Sequence, residues 1–205
     1  MQALILVDIQ NDFLPGGALA VPAGDEVIPV ANRLLDCFPL IAATQDWHPA
    51  NHGSFASQHP GRHAGDVVDL NGIPQILWPD HCVQGTTGAA FAPGFAVERV
   101  QRIFHKGLER ELDSYSGFFD NRRLRSTGLG EFLRERGATE IAIAGLATDY
   151  CVKFSVLDAI QLGFRVRVIA DACRGVDLHP GDSARALQEM QDAGARIVTS
   201  LEVAW

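Results

Sequence analysis

The chain has no Cys-x-x-Cys pair, no long apolar run and no surplus of basic charge, and each absence removes a class of function. Its four cysteines, Cys37, Cys82, Cys151 and Cys173, are spread widely over 205 residues. A chain of that length does not need a disulfide framework, and Cys151 has no nearby second thiol for dithiol redox work. No stretch approaches the roughly 20 apolar residues of a membrane span. Lysine and arginine number 17 against 25 acidic residues, a net charge of −8. That balance argues against nucleic acid or an anionic membrane as partner. The start, Met1-Gln2-Ala3-Leu4-Ile5-Leu6-Val7-Asp8, lacks a basic leader, and its apolar run is too short for a signal peptide, so the expected compartment is the cytoplasm. Internal repeats, low-complexity tracts and linkers are also missing, so residues 1–205 are expected to form one domain. With 47% hydrophobic and 20% charged residues, that domain has material for a sizeable core.

What is present is alternation. Short apolar runs at 3–7, 40–44, 99–104, 141–144, 166–169 and 196–199 read as strands. Between them, 25–37 (with Asp25 as cap), 127–136 (ending at Gly137), 149–162 and 182–193 carry helical patterning. This order predicts an α/β protein, a three-layer α/β/α sandwich around a central six-stranded parallel sheet. The segment 45–97, dense in Gly, Pro, His, Asn and Ser, reads as irregular. It exceeds normal loop length, which points to a functional insertion. In such sheets ligands bind beyond the carboxyl ends of the strands. Asp8 ends the first strand, Asp46 lies just past the second, Lys106 just past the third, and Cys151 follows the fourth.

The run Gly145-Leu146-Ala147-Thr148-Asp149-Tyr150-Cys151 is the most informative part of the chain. It leads from a strand into a helix, with Thr148 as expected N-cap and Cys151 in the first turn. Free N–H groups and the helix dipole at that point favour a thiolate, the form that attacks carbonyls, and can hold an oxyanion. A thiol nucleophile needs a group that takes its proton and later gives it to the leaving group. Asp8 suits that role if its surroundings raise its pKa, and Lys106 would stabilise negative charge beside it. Taken singly, an Asp at a strand end can be a turn residue and a buried Cys can be packing. Three strand ends with complementary roles favour the joint reading.

A second cluster has metal-ligand character. Asp46 and His48 are two residues apart and point to one side of an extended chain, and His81 follows in Trp78-Pro79-Asp80-His81-Cys82. One carboxylate and two imidazoles suit one divalent ion, zinc, iron or manganese, with open positions for water or substrate. His52 and Ser54 are weaker or water-mediated candidates. His59 and His63 read as solvated loop residues, and Cys37, Cys82 and Cys173 as packing. Phe13, Trp78 and Tyr115 would give flat walls for a small planar substrate, unless they simply fill the core.

Several motifs resemble the bacterial nicotinamidases (pyrazinamidases) of the isochorismatase-like cysteine hydrolases, essentially end to end. They are Val7-Asp8-Ile9-Gln10-Asn11-Asp12-Phe13, Gln45-Asp46-Trp47-His48-Pro49, Trp78-Pro79-Asp80-His81-Cys82-Val83, His105-Lys106-Gly107, Asp113-Ser114-Tyr115-Ser116 and the 145–151 run. The resemblance implies the isochorismatase-like hydrolase fold and a triad of Asp8, Lys106 and Cys151. It implies metal ligands Asp46, His48 and His81, a cis peptide before Ala147, and an oxyanion hole from the N–H groups of Ala147 and Cys151. Some relatives have another ligand where Ser54 stands. The implied reaction is nicotinamide plus water to nicotinate plus ammonia through a thioester, serving NAD salvage, with pyrazinamide as a further substrate. The ring would lie between Phe13 and Trp78, with Tyr115 nearby, its nitrogen on the metal directly or through water. A homodimer stays open. So do two other readings: cleavage of another small amide or ureido group, and a non-catalytic metal-binding or thiol redox protein.

Overall fold

A computed structural model describes residues 1–203; the last two residues of the expected domain lie outside the described residues. The chain runs β1 (Gln2–Val7), α1 (Val27–Leu34), β2 (Leu40–Asp46), β3 (Val67–Leu70), β4 (Ile73–Ile76), β5 (Arg102–Lys106) and α2 (Leu129–Glu135). It continues through β6 (Glu140–Leu146), α3 (Lys153–Gln161), β7 (Arg165–Arg174), α4 (Asp182–Asp192) and β8 (Arg196–Val198). Six strands make one sheet in the order β5-β2-β1-β6-β7-β8, every pair parallel. This is the expected six-stranded architecture. The centre of the sheet is covered on both faces, so Ala3 to Val7 are all fully buried, which is why that strand reads as an unbroken apolar run.

Right-handed crossovers set the layers. From β1 the chain moves through α1 to β2 on one side. From β6 it moves through α3 to β7, and on through α4 to β8, in the opposite direction. Helix α1 therefore covers one face, and α3 and α4 cover the other. The reversal falls between neighbours β1 and β6, and the crevice beyond their carboxyl ends is the natural ligand site.

Three expectations are corrected. The helix expected over 25–37 spans only Val27–Leu34, because Gly24–Glu26 winds as a tight 3-10 turn and no side chain, Asp25 included, caps the helix. The strand expected from residue 99 begins at Arg102, since Val97–Arg99 is another 3-10 turn. The 45–97 insertion is not wholly irregular: β3 and β4 form an antiparallel hairpin. Its turn is Asn71-Gly72, with φ of 52° and 85°. Two left-handed residues match the twist of paired strands, and Asn-Gly adopts that shape readily.

Candidate active site

Asp8 follows β1 directly, in a left-handed conformation with φ 50°. Beside it, Val7 pairs with Gly145 of β6. Gly145 has φ 125°, and a Cβ there would stand 2.1 Å from Val7 O, so no other residue fits. The register of β6 against β7 shifts between Ile143 and Gly145. The Leu146–Ala147 peptide is cis. Thr148–Val152 then forms a π-helical turn before α3 begins. The expected N-cap at Thr148 is absent: no side chain caps this turn, and Ala147 O accepts from Tyr150 N and Val152 N, both at 3.1 Å. Cys151 therefore sits in a widened turn ahead of the α-helix.

Asp8, Lys106 and Cys151 converge there, all buried. Lys106 is the last residue of β5 and Asp46 the last of β2, each within its strand, where the sequence placed them just past it. Lys106 Nζ lies 2.9 Å from Asp8 Oδ2, 2.5 Å from Asp46 Oδ1, 3.1 Å from Ser114 O and 3.4 Å from Cys151 Sγ. Thr44 Oγ1 donates to Asp8 Oδ1 at 2.6 Å. The Cys151 thiol, an Asp8 oxygen and an Asp46 oxygen lie within 4.8 Å of one another.

Burial and neighbouring charges compete at each of these groups. Burial drives the Lys106 ammonium down, but Asp46 and Asp8 outweigh it and hold it well above its ordinary value. Burial raises Asp8 and prevails over the pull of Lys106. The helix-start argument for a resting thiolate does not hold: burial pushes the Cys151 thiol well up, Lys106 pulls it back only partly, and Asp8 and Asp46 raise it further. Burial thus favours the thiol form beside a carboxylate of raised basicity, the pairing that proton transfer during attack requires.

Asp46, His48 and His81 form the second cluster, one donor atom from each within 4.8 Å of the others. Nε2 of His48 is 3.5 Å and Nε2 of His81 3.8 Å from Asp46 Oδ2. Donors bonded at about 2.1 Å to one ion stand about 3–3.5 Å apart. Each ring's Nδ1 faces a backbone carbonyl, Gly107 O at 2.9 Å for His48 and Pro79 O at 2.8 Å for His81. A carbonyl only accepts, so Nδ1 carries the hydrogen and both Nε2 lone pairs face the Asp46 carboxylate. Three converging lone-pair donors repel one another unless a cation sits between them, so the residues fit a divalent ion. Burial raises Asp46, but the Lys106 ammonium leads the opposing charges and the carboxylate is held well below its usual range, ready to ligate. His52 and Ser54 are fully buried behind this cluster and bond to each other, His52 Nδ1 to Ser54 Oγ at 2.7 Å. A ring nitrogen of His52 groups with His48 and Asp113 rather than with Asp46 and His81.

Cys151 from the first cluster and Asp46, His48 and His81 from the second reach one cleft, lined also by Phe13, Trp78, Tyr115 and Ala147. Phe13 stands 5.6 Å from the His81 ring, so an aromatic wall adjoins the metal donors. Among the residues read as bland, Cys82 and Cys173 are buried as expected and His63 is exposed. His59 differs: it is half-buried and its Nε2 bonds Gly53 O at 2.7 Å, pinning the loop.

The isochorismatase domain family matches residues 2–202. The chain belongs to this family. Its relatives include the nicotinamidase of Escherichia coli, 54% identical over 202 residues, covering 97% of this chain and 94% of that protein. A solved nicotinamidase/pyrazinamidase of Acinetobacter baumanii superposes with a TM-score of 0.95 at 44% identity, covering 98% and 97% of the two chains. A pyrazinamidase of Pyrococcus horikoshii, solved in complex with zinc, gives a TM-score of 0.78 at 40% identity over 97% and 98% of the chains.

Within this isochorismatase-family site, several residues escaped the sequence reading. Gln10 ties β2 to the insertion: Nε2 donates to Asp46 O at 2.9 Å and Ala89 O at 2.8 Å, and Oε1 accepts from Asp46 N at 2.8 Å. Asp12 Oδ2 accepts from Cys82 N at 2.7 Å, fixing the loop beside His81. Leu19, Asp113, Tyr150 and Val176 line the cleft. Tyr150 is adjacent to the nucleophile candidate, so its nearness was a signal in the chain itself. Gln10, Asp12 and Asp113 fall inside the motifs that carry the resemblance, but nothing in those motifs told their partners, and nothing local marks Leu19 or Val176.

Proposed function

We propose that this protein is a nicotinamidase, hydrolysing nicotinamide to nicotinate and ammonia through a thioester, with pyrazinamide as a second substrate and NAD salvage as its setting. One observation carries the reading: Cys151 opens into a cleft walled by Phe13, Trp78 and Tyr115, with the Lys106 ammonium, itself paired with the Asp8 carboxylate, against its sulfur. The curated relatives of high identity support the same substrate class.

The Phe13 and Trp78 rings would sandwich the pyridine ring, with Tyr115 beside it, and set the carboxamide carbon over Cys151 Sγ. Asp8 takes the thiol proton as sulfur bonds to that carbon. The N–H groups of Ala147 and Cys151 receive the oxyanion, each donor lowering the barrier by about 3 kcal/mol. Asp8 passes its proton to the amine nitrogen, the C–N bond breaks and ammonia leaves a thioester. Asp8 then takes a proton from water as its oxygen attacks, the C–S bond breaks, and the proton returns to sulfur. Lys106 holds Asp8 in place throughout. A divalent ion between Asp46, His48 and His81, zinc in the first place, would supply a Lewis-acid anchor for the ring nitrogen and acidify a bound water.

Ammonia release from nicotinamide by metal-analysed protein tests this. Cys151→Ala is expected to lower turnover by about four orders of magnitude or more while nicotinate still binds. Turnover surviving that substitution would end the covalent mechanism. No release from metal-loaded wild type would move the substrate to another small amide or ureido compound.

A further inference from the structure

The β3–β4 hairpin lies outside the parallel sheet and takes no part in the chemistry above. It nevertheless sends one polar side chain into the interior. Gln75 is 1% exposed, and its Nε2 meets three acceptors: Ile76 O at 2.8 Å, Tyr115 Oη at 2.9 Å and Asp113 Oδ2 at 3.1 Å. Trp78 Nε1 donates to the same phenol oxygen at 3.2 Å. Asp113, Tyr115 and Trp78 all line the cleft.

The amide can face only one way. Reversed, its carbonyl oxygen would confront a carboxylate and a backbone carbonyl, neither of which donates. In the observed orientation Oε1 is buried with no partner, so all the polar work falls on the two N–H groups. For packing alone an apolar chain would serve better, because it would leave no amide oxygen unsatisfied. Two donors fill both lone pairs of Tyr115 Oη and fix the ring. That ring stands 5.5 Å from Tyr150 and 5.4 Å from Phe154, and Trp78 meets Tyr150 edge-on at 4.9 Å.

We propose that Gln75 is a positioning residue for the planar amide: its N–H groups clamp Asp113 and Tyr115, and through Tyr115 the Trp78 indole, setting the wall on which the substrate ring lies. This rests on the nicotinamidase reading. None of the Gln75 hydrogen bonds goes to Asp8, Lys106 or Cys151, so its loss acts on substrate binding and spares the chemical step.

Gln75→Met separates the donors from the volume, since methionine fills the space without N–H groups. Gln75→Met and Gln75→Ala are both expected to raise KM for nicotinamide about tenfold, with kcat kept within about threefold. Nicotinate binding to the Cys151→Ala background is expected to weaken equally when Gln75→Met is added. The near-UV circular dichroism of the Trp78–Tyr115 cluster is expected to change as well. A Gln75→Met enzyme with wild-type KM, or one impaired in kcat alone, overturns the proposal. Should that variant fail to fold, Gln75→Glu keeps the volume and puts an acceptor where a donor was. A raised KM supports the proposal and an unchanged KM overturns it. Wild type in the same assay keeps the two readings apart: its failure to release ammonia ends the nicotinamidase reading, whereas an active wild type with an indifferent Gln75 ends only this one.

Discussion

His52 is expected to make the stability of this protein depend on pH. Its ring is fully buried, and burial pushes its pKa down from 6.5 to about 4. The backbone N–H of Ser54 donates to Nδ1 at 3.2 Å, so the second proton would have to displace a bond that cannot turn round. The folded pKa lies below the unfolded one, so between them the unfolded state binds more protons. Stability contributed by neutral His52 is complete above pH 6.5 and is lost as pH falls toward 4. Between pH 7 and pH 4.5 the loss comes to about 2 kcal/mol. In urea titrations, His52→Asn, whose Oδ1 can accept from the same N–H, is expected to lose about 2 kcal/mol less than wild type over that range. Equal losses would show that His52 is not held neutral in the fold. Gly107 constrains a neighbouring ring by shape instead. A Cβ at Gly107 would stand 2.3 Å from His48 Cε1, so Gly107→Ala must turn the imidazole and break its bond to Gly107 O. Zinc affinity, read by competition with a chromophoric chelator, is expected to fall about ten- to a hundredfold. An unchanged affinity would remove His48 from the ligand set.

Elements are held around the cleft by side chains that reach across the sequence. Asp149, in the turn before α3, accepts from Val176 N at 2.9 Å and Asp177 N at 2.8 Å and so fastens the loop that brings Val176 to the cleft. Asp149→Ala leaves two inward-facing N–H groups without their charged partner. It is expected to cost about 2–4 kcal/mol in denaturant unfolding and to raise KM, while Asp149→Asn, which keeps one acceptor, falls between. A loss under about 0.5 kcal/mol would mean that the loop holds itself. Such bonds explain which parts of the fold the sequence could reveal. The inner strands β1, β2 and β6, buried at almost every residue, write themselves as apolar runs, whereas the edge strands β5 and β8 are partly exposed and were legible only as short branched runs; the placement of candidate residues at the strands' carboxyl ends was legible too. Helix starts were not: the capping logic that selected Asp25 and Thr148 is local, and tight packing at Gly24 and the widened turn at Cys151 override it. The β3–β4 hairpin carried a local signal, Asn71-Gly72, that its polar surroundings obscured. Gln10, Asp12 and Gln75 act on partners 36, 70 and 40 residues away, a distance over which no periodicity speaks.

At the scale of the molecule, the direction in which the chain winds along the sheet reverses between β1 and β6, and Asp8, Asp46 and Lys106 are gathered into the buried interior beside that point. Two carboxylates share one ammonium there, while two imidazole lone pairs face Asp46. Charges withdrawn from water destabilise a fold unless they are balanced, so this arrangement gains by taking up a cation. An ion that binds the folded chain and not the unfolded one adds about 2.7 kcal/mol at a hundred times its Kd. For a chain of this length each kcal/mol moves Tm by about 2–4 °C. Removing metal with a chelator is therefore expected to lower Tm by about 5–10 °C, and adding zinc back to restore it. His81→Ala keeps the buried Asp8–Lys106–Asp46 group intact but removes one ligand, so its Tm is expected to respond little to either treatment. Calorimetry of the two proteins, each stripped and reloaded, reads the difference directly. If zinc, iron and manganese all leave the wild-type Tm unmoved, Asp46, His48 and His81 do not form a metal site. Their converging lone pairs would then have to be balanced by a proton on His48, whose pKa burial lowers but Asp46 raises more.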